Sequence, residues 1–174
     1  MNKTSSGKVH WSTPHHVVQH VEHVFGGVIQ LDPCWNPISP VRAHFAWTKT
    51  RTYTDGRKVW DKEPDDTFAW PWCHDTYVNP PYGDKAFKDK ILKEAARGTR
   101  MMVCVPANTG TQFMQSLMSY GLTKFCSPRV AFVDPVTREP CKGVMHDTAL
   151  VFCNGNPEEN RRHHNNGFVK GIVK

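Results

Sequence analysis

An α/β fold whose central strands run parallel is what this sequence predicts, on three observations. Segments of helical periodicity alternate with short apolar runs, the pattern of strand–helix units. One run, Met101-Met102-Val103-Cys104-Val105, is continuously apolar, as a strand buried on both faces must be. Asp32, Asn79 and Pro106 each stand just past such a run. Parallel strands bring their carboxyl ends to one rim, so these three positions converge on one site.

Residues 1–12 read as a flexible lead. Its lysines are followed by no apolar segment, so a secretory signal is not expected. Thr13-Pro14 opens a helix, with Thr13 as the cap and Pro14 at the first helical position. Val17, Val21 and Val24 make its apolar face, His16, His20 and His23 share a solvated side, and Gly26-Gly27 closes it. Val28 to Leu31 is a strand ended by Asp32-Pro33, and Cys34-Trp35-Asn36-Pro37 follows as a compact, rigid segment.

Residues 39–74 form a tryptophan-rich insertion without periodicity. Trp47, Tyr53, Trp60, Trp70 and Trp72 are scattered among Arg42, Lys49, Arg51, Arg57, Lys58 and Lys62, with a turn at Asp55-Gly56. Two readings stand side by side: aromatic and basic residues facing a nucleic acid, or tryptophans filling a second small core.

Thr76-Tyr77-Val78 is the next strand. Asp84 then caps a helix with Phe87, Ile91, Leu92, Ala95 and Ala96 inward and Lys85, Lys88, Lys90 and Lys93 outside or at the margins. Met101–Val105 is the central strand and Pro106 to Gly110 its loop. A helix follows with Phe113, Met114, Leu117 and Met118 inward. Leu122 to Cys126 suits a short strand. Val130–Val133 and Thr148–Phe152 are expected to close the sheet as an antiparallel hairpin. The domain spans 13–153, and 154–174 reads as a polar, mobile tail.

The 174 residues suffice for one domain with a core. No apolar run is long enough to span a bilayer, so no membrane partner is expected. The six cysteines form no C-x-x-C pair, and Cys104 and Cys153 lie inside apolar runs, which points to free thiols in a reducing, cytoplasmic setting. Lys and Arg exceed Asp and Glu by 22 − 16 = 6, a balance that permits a polyanionic partner. Three histidines on one helix and the Cys73-His74 pair are the material for a metal site. They lack a fourth ligand at fixed spacing, and no metal is expected.

The chemistry-bearing stretch is Val78-Asn79-Pro80-Pro81-Tyr82-Gly83. Two prolines remove two backbone donors and fix two φ angles, holding the chain rigid where an amide and an aromatic ring project. An ordinary proline turn after a strand needs neither. The stretch resembles the tetrapeptide of adenine-directed amino-methyltransferases, written with Asp or Asn first and then Pro-Pro-Tyr. Trp11-Ser12-Thr13-Pro14, Leu31-Asp32-Pro33, the Asp55-Gly56 turn with Trp70 or Trp72 behind it, and Val105-Pro106-Ala107-Asn108-Thr109 match in the same order. Together they span residues 11–153 and resemble the phage-type DNA N6-adenine methyltransferase family, small enzymes related to Dam methylases. Asn-Pro-Pro-Tyr alone is less specific, since RNA and protein-glutamine amino-methyltransferases use it too.

That resemblance implies a Rossmann-like class I methyltransferase, reduced in size, with S-adenosylmethionine as cofactor. It implies cofactor contacts from Thr13, Pro14, Asp32, Pro33, Asn36 and Asn79. Catalysis falls to Asn79, Pro80 and Tyr82, and substrate contacts to Pro81, Tyr82 and Asn108. The target is an adenine flipped from duplex DNA, and the products are N6-methyladenine and S-adenosylhomocysteine. A phage would use such an enzyme in the host cytoplasm to shield its genome from restriction. Two departures matter. No Gly-x-Gly loop follows the first strand, and about 45 residues between Asp32 and Asn79 leave no room for a separate recognition domain. Specificity is therefore expected to be relaxed or short, unless a homodimer or the tryptophan-rich segment adds contacts. The ribose-binding acid stays open among Asp55, Asp61, Glu63, Asp65 and Asp66. Methylation of cytosine N4, RNA adenine or protein glutamine, and a non-catalytic DNA-binding module, remain the alternatives.

Overall fold

The computed structural model describes residues 12–35, 39–47, 67–127, 129–134, 139–140 and 146–165. They form a six-stranded mixed sheet between helices. In chain order the elements are α1 (His15–Phe25), β1 (Ile29–Asp32), β2 (Ala43–Ala46), β3 (Thr76–Val78), α2 (Lys85–Ala96), β4 (Met101–Pro106), α3 (Gln112–Met118), β5 (Gly121–Phe125), β6 (Thr148–Cys153) and α4 (Pro157–His164). The strands are ordered β2-β1-β3-β4-β6-β5. β2, β1, β3 and β4 pair in parallel, and β6 runs antiparallel to both β4 and β5.

Strand alternation builds both cores. Met102 and Cys104 of β4, with Leu150 and Phe152 of β6, face α1, where Val17, Val18, Val21 and Val24 cover them. Met101, Val103 and Val105, with Ala149, Val151 and Cys153, face the other way onto Ile91 and Ala95 of α2 and Met114 and Leu117 of α3. With both faces covered, the bodies of β4 and β6 have no side for a polar residue, hence the unbroken apolar runs Met101–Val105 and Ala149–Cys153. α1 ends at Gly26 in the left-handed conformation, φ 84°, which a residue with no Cβ adopts without strain. Asp84 caps α2 by accepting from the Ala86 N–H. Among the described residues no helix is long and apolar enough to cross a membrane.

Four expectations need correction. Thr13 does not cap α1: Pro14 holds the cap position and the helix starts at His15. The Thr13 hydroxyl is engaged in tertiary hydrogen bonds instead. The closing antiparallel pair joins β6 to Gly121–Phe125, not to Val130–Val133. In that segment Val133 makes only isolated bridges, to Ser12 and Pro140. Ala43–Ala46, inside the insertion read as patternless, is the edge strand β2. An edge strand buries little, and the burial of this one does not alternate. The polar stretch after Cys153 is not all tail. Pro157–His164 is α4, started by a capping box in which Asn156 and Glu159 satisfy each other's backbone donors. The apolar pairs near residues 168 and 172 lie outside the described residues.

α4 also changes the histidine reading. It packs on α1, burying His20 against His163 with Nε2 and Nδ1 3.0 Å apart. Burial first, then nearby positive groups (Lys124 for both rings, with His23 beside His20), lowers His20 to about 4 and His163 to about 3. Both rings are neutral at physiological pH.

Charged residues on α2 hold the approach to β3. The buried Lys90 ammonium bonds Glu94 Oε1 at 2.8 Å and donates to the Trp70 carbonyl at 2.8 Å. Arg97 bonds Glu94 and the Trp72 carbonyl. Burial opposes the charge on Glu94, but hydrogen bonds from Lys90, Arg97 and Thr99 outweigh it and hold the carboxyl below its usual range. Trp72 is buried in the core, with its indole N–H on the Thr67 carbonyl at 2.9 Å, whereas Trp70 is exposed.

The histidine pair gives the chain an acid-side stability limit. Unfolded, both rings take up protons below about 6.5; folded, they stay neutral until the pH is far lower. The unfolded chain therefore binds more protons in that window, and stability falls as pH drops from 6.5 toward 4. Urea unfolding across pH 7.5 to 4.5 should show a falling midpoint, flattened in His20→Leu/His163→Leu. An equally steep fall in the double variant would clear the pair of this role.

Candidate functional site

The strand order reverses between β1 and β3: β2 lies on one side of β1, and β4 on the far side of β3. Loops leaving the carboxyl ends of β1 and β3 therefore diverge and open a crevice between them, the usual ligand position of an open α/β sheet. Asp32 is the last residue of β1 and Asn79 follows β3 directly.

The first cleft lies on this crevice. Ser12, Thr13, Asp32, Cys34, Ser39 and Asn79 line it, with Val41 and Tyr77. Its organising contact is the buried Thr13 hydroxyl. It bonds the Tyr77 hydroxyl at 3.0 Å and accepts from Asn79 Nδ2 at 3.2 Å. With Nδ2 held by Thr13, Asn79 Oδ1 has no hydrogen-bond partner among the described residues.

Asp32 sits at the floor of the same cleft, 4% exposed. It accepts from the Cys34 N–H at 3.0 Å and the Ser39 hydroxyl at 3.4 Å. Burial outweighs these two bonds and raises its carboxyl to about 7. The Asp32 carbonyl accepts the Trp47 N–H at 2.9 Å, which ties the end of β2 to the site. Ser12 Oγ is buried without a hydrogen-bond partner among the described residues.

The second cleft lies on the other side of the Asn79–Tyr82 loop. Pro80, Pro81, Tyr82, Lys88, Asn108 and Phe113 line it, together with Val105, Pro106 and Thr111. Tyr82 is half-buried. Its ring meets Phe132 edge-on, with centroids 6.3 Å apart. Burial and the adjacent Cys104 push its hydroxyl far above the usual range. Tyr77 and Tyr82 both lie close to the Cys104 thiol, which burial pushes up to about 12. A buried polar chain thus runs Asn79–Thr13–Tyr77 and fixes the start of the rigid loop from inside the core.

Of the residues expected at the site, Thr13, Asp32 and Asn79 share the first cleft, and Pro80, Pro81, Tyr82 and Asn108 share the second. Pro14 and Pro33 are buried and line neither. Asn36 and the acidic candidates Asp55, Asp61, Glu63, Asp65 and Asp66 lie outside the described residues. Among the described residues no three His, Cys, Asp or Glu side chains converge as metal ligands. His74 Nδ1 accepts the Arg100 N–H instead. Sequence reasoning missed Tyr77, Ser39, Lys88 and Phe113. Tyr77 carried a signal, being a phenol inside a buried strand that must find a polar partner.

Two variants test this geometry. Thr13→Val keeps the shape but leaves the Tyr77 hydroxyl and the Asn79 N–H without their partner, and should cost about 1–3 kcal/mol in chemical denaturation, with Thr13→Ser restoring most of it. No loss in the valine variant would mean the hydroxyl chain is not formed. The raised Asp32 carboxyl adds stability that is complete below about 3.9, the unfolded value, and is lost as pH rises through about 7. Asp32→Asn should therefore melt higher than the wild type at pH 8, with the gap closing toward pH 4. A gap that is independent of pH would refute the burial of a titrating carboxyl there.

Compared with known proteins, the chain matches no family model, no curated protein and no solved structure, so a functional reading rests on the residues of these two clefts.

Proposed function

We infer that the protein is a methyltransferase that moves a methyl group from S-adenosylmethionine to the N6 amine of adenine in DNA. One observation carries this reading. The rigid Asn79-Pro80-Pro81-Tyr82 loop stands between two clefts, with its amide turned to the first and its prolines and aromatic ring to the second. A group-transfer enzyme needs a donor and an acceptor brought together across one fixed partition. The mixed sheet, mostly parallel with an antiparallel C-terminal pair, supports the Rossmann-like class I assignment. The net charge of +6 suits a nucleic-acid substrate.

The first cleft fits the polar end of the cofactor. Ser12 Oγ is a buried hydroxyl awaiting a partner, and Asp32 is a buried carboxyl that a cation would ionise. Bound there, the cofactor supplies an electrophilic methyl on a sulfonium. The residues do the rest. An exocyclic amine is a poor nucleophile because its lone pair is delocalised into the ring. Asn79 Oδ1, free because Nδ2 is held by Thr13, accepts one amine N–H. The Pro80 carbonyl accepts the other. Both bonds favour a pyramidal nitrogen whose lone pair points across the loop. Tyr82 presents ring surface to the base, worth about 1–3 kcal/mol in stacking. An amide is no base, so the proton leaves to solvent after transfer and not to Asn79.

Transfer of labelled methyl from S-adenosylmethionine to unmethylated duplex DNA, followed by nucleoside identification, tests the reading. Label is expected in N6-methyladenosine, with Asn79→Ala losing most turnover, on the order of a hundredfold or more, while cofactor binding is largely kept. Equal loss of both in a folded variant would overturn this division of labour. Label confined to cytosine, RNA or protein would move the same chemistry to another amine.

A further inference from the structure

The second cleft carries more than the motif residues. Phe113, at the start of α3, is half-buried, with its inner side on the core beneath β4. Lys88, on the first turns of α2, stands over its ring with Nζ 5.7 Å from the centroid. The other lysines near it are neutralised: Lys85 pairs with Asp89 at 2.6 Å and Lys90 with Glu94 at 2.8 Å. Lys88 makes no ion pair among the described residues, and the Phe113 ring is the contact its ammonium has. An uncompensated ammonium held at the mouth of an aromatic-lined cleft is a site for an anionic aromatic ligand.

The cleft's other groups narrow that class. Tyr82 and Phe113 supply two aromatic surfaces, and Asn108, exposed on the loop after β4, supplies a donor and an acceptor at the rim. That loop is held in shape: Thr111 Oγ1 donates to the Asn108 carbonyl at 2.9 Å, and Gln115 to the Thr109 carbonyl at 2.6 Å. Flat surfaces, an amide edge and one unneutralised cation match a single nucleotide lifted out of its stack.

We propose that the cleft lined by Tyr82, Lys88, Asn108 and Phe113 is a nucleotide site, with Phe113 as the stacking ring and Lys88 as the phosphate contact. It rests on reading the Asn79 loop as the amine-directing element. When the nucleotide enters, the Lys88 ammonium leaves the Phe113 face for the phosphate, and the base takes the face it vacated. The ammonium exchanges a cation–π contact for a charge-assisted one, so the ring is kept covered until substrate arrives. Substrate class follows. An unpaired or readily extruded nucleotide binds well, and an intact, stiff duplex binds poorly, because the cleft holds a base that has left its stack.

The full chain is titrated into a fluorescein-labelled duplex carrying one adenine opposite an abasic position, and binding is read by anisotropy at several salt concentrations. Phe113→Leu keeps the apolar volume and removes the ring. It should weaken binding about 5- to 150-fold, the range for one lost base–aromatic stack. Lys88→Gln, which removes the charge from a half-buried side chain with no ion pair among the described residues, should weaken binding and make the slope of log K against log salt shallower by about 1. Methyl transfer into the same duplex is measured alongside. Wild-type affinity and slope in both variants would overturn the site while leaving the methyltransferase reading standing. Weakened binding in the variants, with no methyl transferred by the wild type, would keep the site and overturn that reading. A wild-type chain that does not bind the duplex would overturn both.

Discussion

The Thr13 hydroxyl is the contact on which the site depends. It lies before the first helix, far in sequence from its partners, and reaches Tyr77 on β3 and Asn79 just beyond it. An amide side chain can rotate by half a turn about its last bond and exchange donor for acceptor. Thr13 limits that freedom when its one proton goes to Tyr77, because its oxygen can then only accept from the N–H end of Asn79. One hydroxyl therefore decides which atom of Asn79 faces an incoming group. It also explains why the N-terminal element belongs to the domain. Ser12 bridges to Val133 on one side, α1 packs on the sheet on the other, and Thr13 is fixed between them.

The loop owes its rigidity to three separate constraints. Two prolines fix the backbone. The polar chain from Asn79 through Thr13 to Tyr77 holds the amide from inside, and the edge-on contact with Phe132 holds the Tyr82 ring. The Lys90–Glu94 pair, buried, with Arg97 at its exposed edge, secures the segment that leads into β3, through the carbonyls of Trp70 and Trp72. A buried ion pair is a poor source of net stability, because desolvation offsets most of its attraction. Its value here is positional: it grips two backbone carbonyls that no strand or helix would otherwise satisfy.

The parts of this fold that announce themselves in sequence are those buried on two sides. Met101–Val105 must be apolar throughout to sit between two helix layers, and it reads that way; the same holds for Ala149–Phe152, whereas the buried face of α2 holds Lys90 and Glu94 beside Phe87, Ile91 and Ala95, and Ala96, expected inward, is exposed. The parts that stay hidden bury little or bury polar groups. β2 sits at an edge, with Phe45 55% exposed, so no pattern marks it. α4 is almost wholly polar, and its signal was the Asn156–Glu159 capping pair and not periodicity. The histidines of α1 looked solvated because helical spacing shows which residues share a side and not what a later segment places against them. At the site, the residues past the strand ends were legible because a parallel sheet collects them on one rim. Lys88 and Phe113 were not, because one looked like a surface lysine and the other like core.

The amide at position 79 is better suited to this crevice than the carboxylate that the resembling motif also accepts. Asp32 lines the same cleft and is already driven to about 7 by burial. A second carboxyl beside it would raise both further, since like charges in a shared low-dielectric site cannot ionise together. A carboxylate would also have no N–H to offer the Thr13 oxygen. With Asn79 the cleft holds one ionisable acid, available to balance one cation, and the loop residue keeps an oxygen free whose orientation does not change with pH. The division is an electrostatic one: Asp32 carries the charge of the first cleft, and Asn79 carries direction without charge at the boundary with the second.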